Sequence, residues 1–284
     1  MQAVNYLLAA LFCRLNIICN TLGAVLLAPL AHIPGWLSNT IISAVMGVVL
    51  LVLFKHTSNQ KAIGRVRDGV KADMLALKLF KDELPVTFAS QGRLFLGAFK
   101  LLFYSLCPLA VMILPVVFVL AQMAAWYQFR PLAPGEKTVV TMQFNGSASD
   151  DLPPVEIVGL EGAAVTVGPV RIPAQREISW EIEAQKPVQT QIVFAVHDRQ
   201  VEKDLVIGDG FCRLSPLRPG WKWSNILLFP LEKPFHNDDT VHSISITYPE
   251  RDSLTCGTDW WVIYFFVVSL ICALIFKPFL KVRL

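Results

Sequence analysis

Three stretches of this chain carry no charged side chain over lengths that match a lipid bilayer. Trp36 to Phe54 and Pro108 to Trp126 are 19 residues each, and Trp260 to Phe276 is 17. A helix needs about 20 such residues to cross a hydrocarbon core ~30 Å thick, with 17 near the lower limit. Each stretch has aromatic residues at one end (Trp36; Trp126 with Tyr127; Trp260 with Trp261), which suits a membrane interface. Composition agrees, being 54% hydrophobic and 17% charged, where an ordinary soluble domain is about 25% charged. A disordered chain is excluded, because it needs low hydrophobicity with high net charge. The formal charge of +3 is too small for a nucleic-acid binder. The chain reads as an α-helical integral membrane protein.

Residues 1–35 leave two readings open. Tyr6 to Ala31 is apolar enough to span, yet it holds Arg14, Asn16 and Asn20 before Pro29 and Pro34. No basic residue precedes the run and no small-residue cleavage site follows it, which argues against a removable signal peptide. It is either a fourth span with Arg14 turned toward protein or a wet cavity, or an interfacial helix ended by His32-Ile33-Pro34-Gly35. The second is favoured.

Loop charge sets the orientation. Residues 55–100 hold nine basic and four acidic side chains, a net +5, while residues 127–259 hold twelve basic and eighteen acidic, a net −6. The tail at 277–284 carries Lys277, Lys281 and Arg283 and no acid. The positive-inside rule therefore places residues 55–107 and the tail in the cytoplasm and residues 127–259 outside it. In a bacterium the spans would sit in the inner membrane. The expected order is an N-terminal helix (1–35), a span (36–54), a basic helical hairpin (55–107), a span (108–126), a β domain (127–259), a span (260–276) and a basic tail (277–284).

In the basic segment Ile63, Val66, Val70, Met74 and Leu77 form one helical stripe, with Ser58 as the expected N-cap. Lys81 to Pro85 reads as a turn. A second arm, from about Val86 to Cys107, returns to the membrane through Leu94, Leu96, Phe99, Leu102 and Phe103. Leu94 to Tyr127 would be ~51 Å of helix at 1.5 Å per residue, too long for one vertical span, so Pro108 is the expected break. Such a basic amphipathic hairpin also suits anionic lipid headgroups.

Residues 127–259 read as a β sandwich. Lys137–Phe144 alternates, and Val155–Leu160, Ala163–Val167, Arg176–Glu183, Thr190–His197, Asn225–Phe229 and Val241–Tyr248 are further strand candidates. Turn residues such as Asn145-Gly146 and Gly208-Asp209-Gly210 separate them.

No catalytic pattern emerges, so no enzyme activity and no cofactor are expected. The five histidines lack metal-ligand spacing, and neither a phosphate loop nor a G-x-S-x-G elbow is present. Cys212 and Cys256, the two cysteines of the β domain, could form a disulfide there. Candidate residues for a polar groove within the bilayer are Asn39, Thr40, Ser43, Ser105 and Gln122. Met46, Met112 and Met123 would be adaptable apolar contacts. Alternatively, these polar groups merely bond between helices, at ~0.6 kcal/mol each.

The order of an interfacial helix, a span, a basic hairpin and a proline-bearing span resembles the core of the YidC/Oxa-type membrane-insertase superfamily. The span exit Leu51-Val52-Leu53-Phe54-Lys55-His56-Thr57-Ser58 is similar to that of the first core span in its minimal members. Cys107-Pro108 to Leu114-Pro115 is similar to the two-proline entry of the second, and Phe80-Lys81-Asp82-Glu83 to the hairpin turn. The layout also resembles uncharacterised bacterial membrane proteins with the same T-S-N-Q exit. Members of the superfamily hold a positive charge inside a groove. Here Trp36–Phe54 has none, and Lys55 and Arg14 are the cations nearest that role. The resemblance implies an insertase-like chaperone that takes nascent membrane proteins, with membrane lipids, the ribosome or other membrane subunits as partners. The other class that fits the residues is a membrane-anchored adaptor binding a partner through its β domain. The charge asymmetry predicts that protease added to intact spheroplasts cuts within 127–259 and spares 55–100; cleavage of the hairpin from outside would overturn this topology.

Overall fold

The computed structural model describes residues 2–27, 33–58, 60–79, 84–147, 150–197, 199–236, 240–252, 260–280 and 282. The chain divides into two compact units, one of Met1–Ser38 with Val117–Val262 and the other of Asn39–Val116 with Ile263–Leu284.

Three helices are long and apolar enough to cross a membrane: α2 (Gly35–Thr57), α4 (Leu84–Tyr127) and α6 (Trp260–Leu280). The remaining long helices are α1 (Gln2–Leu27) and α3 (Gln60–Leu79). Pro108 does not break the chain where expected. Leu84–Tyr127 is one helix of 44 residues with Pro108 and Pro115 inside it, so the boundary at 107/108 is not a structural one. A proline removes only its own N–H bond and crowds the preceding turn, and apolar helix on both sides carries the segment through. At the end of α2 the Ser58 backbone N–H donates to Phe54 O at 2.9 Å.

Within the helical unit, α3 and α4 pair as a hairpin. Arg93 Nε donates to Asp73 Oδ1 at 2.9 Å, and a Cβ on Gly97 would press on the Val70 side chain. The turn at 80–83 lies outside the described residues. Helices α2 and α6 touch where Gly47 meets the Ser269 carbonyl, so closely that any Cβ there would collide. The Thr40 and Tyr264 hydroxyls bond at 2.6 Å in the same pair.

The β domain is two antiparallel sheets. One has the order β3-β4-β1-β8-β7, with β1 Lys137–Phe144, β3 Ala163–Ile172, β4 Glu177–Ala184, β7 Leu217–Arg218 and β8 Val241–Ile246. The other is β2-β5-β6, with β2 Val155–Gly159, β5 Val188–Val196 and β6 Arg199–Ile207. Their inward faces share one core: Val140, Met142, Ile178, Trp180 and Ile244 of the first sheet meet Ile192, Phe194, Leu205 and Ile207 of the second. Trp180 and Phe194 rings lie 5.3 Å apart. Alternation along each strand produces this burial directly.

Two segments differ from the sequence reading. Asn225–Phe229 is not a strand; it falls largely within a short helix, α5 (Trp223–Leu228), whose Ile226 and Leu227 are buried. A short apolar run is ambiguous between helix and strand until a neighbour decides it, and here that neighbour is α1. Strand β6, with four charged side chains among nine residues, escaped the reading because it looks solvated.

Strand β6 turns Leu205 and Ile207 into the core, and with them Lys203. Its side chain is fully buried, and Nζ donates to Glu232 Oε1 at 2.5 Å, to Ser215 O at 2.5 Å and to Asp204 O at 3.4 Å. Burial pushes this ammonium below its ordinary pKa against the attraction of Glu232. All three N–H donors thus have acceptors, as a buried charge requires. Removing one partner of a buried pair costs about 3–5 kcal/mol. Lys203→Ala should therefore lower the stability of the β domain by that order in thermal or urea unfolding of the full chain. Lys203→Met combined with Glu232→Leu should recover most of the loss. Equal stability of Lys203→Ala and parent would show that the pair does not anchor the strand.

Candidate functional site

The residues expected to line a polar groove fall into the two units. In the helical unit, Asn39 and Ser43 are fully buried, and Ser43 Oγ donates to Asn39 O at 2.6 Å, with Asn39 Oδ1 3.1 Å away. The two share one helix face because they are four residues apart. Thr40 is bonded to Tyr264, Met46 and Met112 are half-buried, and Lys55 is exposed in the last turn of α2. Ser105 lies within α4, outside the described side chains. Of the expected set, then, the structure brings together only Asn39 and Ser43, with Thr40 beside them on α2.

Arg14, Gln122 and Met123 belong to the other unit. Arg14 is exposed on α1, while Met123 is buried. Gln122 is buried too, and its amide is fully engaged: Nε2 donates to Asn20 Oδ1 at 2.7 Å, and Oε1 accepts from Arg213 at 2.8 Å. Asn20 in turn donates to Pro230 O at 2.5 Å, and Asn16 to Ile226 O at 2.5 Å. Of the polar side chains that made residues 6–31 ambiguous, Asn16 and Asn20 are therefore bonded to α4 and to the segment that follows β7, while Arg14 is exposed. Gly23 is part of this fit, since a Cβ there would lie 2.8 Å from Gln122 Oε1. The apolar side of α1 completes the joint: Ala9 and Phe12 pack on Ile226, Leu227 and Phe118. The rings of Tyr6 and Trp221 lie 5.7 Å apart, and those of Phe12 and Trp223 6.0 Å.

The C-terminal end of α4 is capped by the β domain. Leu214 N donates to Ala125 O at 2.8 Å and Arg251 N to Gln128 O at 3.2 Å, satisfying carbonyls that a helix end leaves open. Arg130 then pairs with Glu136 at 2.9 Å, and the Arg130 hydrogen bond holds that carboxyl below its ordinary pKa. Cys212 lies half-buried beside this joint, its thiol pushed up by burial. Cys256, its expected disulfide partner, lies outside the described residues.

Between the last turns of α4, the 214–216 and 228–231 loops and the start of α6 lies a cavity of about 350 Å³. Its wall is apolar apart from Gln128 and Ser215. Sequence reasoning missed it, because its walls come from four segments up to 145 residues apart and none carries a motif. Among the described residues no group of three or more His, Cys, Asp or Glu side chains could hold a metal ion. The arrangement offers shape and apolar surface, with Gln128 and Ser215 as its polar lining.

Replacing Gln122 by Leu would leave the Asn20 carbonyl and an Arg213 N–H without their partner. An unsatisfied buried polar group costs about 1–3 kcal/mol. Gln122→Leu should thus loosen α1, seen as faster hydrogen exchange at Asn16–Gly23 with the β strands unaffected. Unchanged protection of α1 would mean that its apolar face alone holds it.

Compared with known family models, curated proteins and solved structures, the chain matches none.

Proposed function

We propose that this protein assists the insertion or folding of other membrane proteins, offering the uncovered apolar faces of its helices to client segments. The observation that carries this reading is how little the chain covers its own spans. Only 12% of the most apolar window of α4 and 11% of that of α6 is buried by the rest of the protein, against 33% for α2. Phe95, Phe99, Leu102, Phe103 and Leu106 stand exposed along α4, and Met74, Leu75 and Leu79 along α3. Exposed apolar surface on this scale marks an interaction or membrane surface. Lipid covers part of it in the resting state, and a client helix replaces lipid at little cost, since lipid tails are as apolar as the helix. The basic α3–α4 hairpin lies in the cytoplasm and the β domain across an inner membrane. Lys55, exposed at the end of α2, supplies the positive charge that draws acidic client segments and nascent chains toward the hairpin.

A second reading, a membrane-anchored adaptor, is favoured by Val158, Val165, Val167 and Val170, which are exposed on β2 and β3. Each of these is the edge strand of its sheet, where a partner chain can pair.

Site-specific crosslinking in vivo separates the two. A photo-reactive residue at Phe103 should capture nascent membrane proteins, and Lys55→Glu should lower that yield several-fold at equal abundance. Capture of one stable partner from Val167, with none from Phe103, would replace the insertase reading by the adaptor.

A further inference from the structure

The apolar cavity at the end of α4 adjoins a second hollow of different chemistry. The second has a volume of about 400 Å³ and is lined by Gln189, Thr190, Gln191, Asp204 and Arg213, among others. Ser215 and Leu231 stand in the walls of both, so apolar surface passes directly into polar surface. Lys203 holds this shared wall from behind, bonding Ser215 O and the Glu232 carboxylate next to Leu231.

We propose that the paired hollows hold one zwitterionic phospholipid, resting on the reading of α4 and α6 as membrane spans. One acyl chain fills the apolar cavity and a phosphoethanolamine head occupies the polar one, its phosphate toward Arg213 and its ammonium toward Asp204.

Four observations point to this occupant. First, the apolar cavity is walled by the last turns of α4 and by Trp261 and Val262 of α6, the ends of two apolar spans, where a bilayer lipid is the nearest amphiphile. Second, its volume falls in the range of small-ligand pockets, about 300–1,000 Å³. An α-helix about 10–12 Å across with its side chains is too thick for it, which excludes a client helix. Third, the polar hollow presents one cation and one anion, which complements a head carrying both charges and disfavours a purely anionic one. Fourth, the partners already on the page leave capacity for a head: Arg213 spends one terminal N–H on Gln122, and among the described residues the Asp204 carboxylate accepts only from Gln191, at 2.9 Å on Oδ1.

Full-length protein should be purified in detergent, supplied with phosphatidylethanolamine or phosphatidylglycerol in equal amount, and examined by native mass spectrometry for retained lipid. Phosphatidylethanolamine should be retained in preference. Ala124→Phe, which fills the apolar cavity from α4, should reduce its retention about tenfold, the loss of a few buried methylene contacts. Leu228→Asp, at an exposed lining position, gives the same readout if Ala124→Phe does not fold. Asp204→Asn should abolish the preference between the two lipids. Equal retention by parent and both cavity variants, or equal retention of the two lipids by the parent, would overturn the proposal. Crosslinking at Phe103 in the same preparations keeps the two proposals apart. Lipid retained without client capture sinks the insertase reading alone, and client capture without lipid retention sinks this one alone.

Discussion

The ammonium of Lys203 organises more of this protein than any other single group. It sits fully buried on β6 and bonds one carboxylate and two backbone carbonyls. Among the described residues of 208–240 there are two residues of strand and one six-residue helix, so regular hydrogen bonding does little to place them. The cation fixes this segment at Ser215 and again at Glu232, with Arg218 adding bonds to Glu202 O and to Lys233 O. Held in that way, the segment presents Leu214 to cap α4, Arg213 to meet Gln122, and α5 to receive α1. A buried charge is costly in itself, and its reach across these elements explains what it offers in return.

A second constraint acts on the apolar helices. A polar side chain in such a helix needs a partner wherever water is excluded. Asn16, Asn20, Thr40, Ser43 and Gln122 all have one. Thr40 and Gln122 are thereby committed to neighbouring elements, and Ser43 to Asn39 in its own helix.

Much of this architecture was legible along the chain. The three helices long and apolar enough to cross a membrane follow from the absence of charge over 17–19 residues, a local property that nothing distant can change. Strands β1, β4 and β8 were visible because their inward positions are mostly apolar, as in Val140, Met142 and Phe144 of β1. The pairing of α3 with the start of α4 followed from a helical stripe on α3 and a turn after it.

Other features depended on partners far away in sequence. Strand β6 carries lysine at an inward position, and Glu232, 29 residues on, with the Ser215 carbonyl makes that tolerable. The Asn225–Phe229 run became mostly helix because its Ile226 and Leu227 could bury against Phe12 of α1. Gln122 looked like a free amide until Asn20 and Arg213, respectively 102 and 91 residues away, took both its ends. Composition and periodicity report what each residue needs, whether burial, water or a hydrogen-bond partner, and so they set the spans and most strands. Which residue meets that need is decided by long-range contact. The buried lysine, the docking of α1 and the paired hollows at the end of α4 therefore belong to the tertiary structure alone.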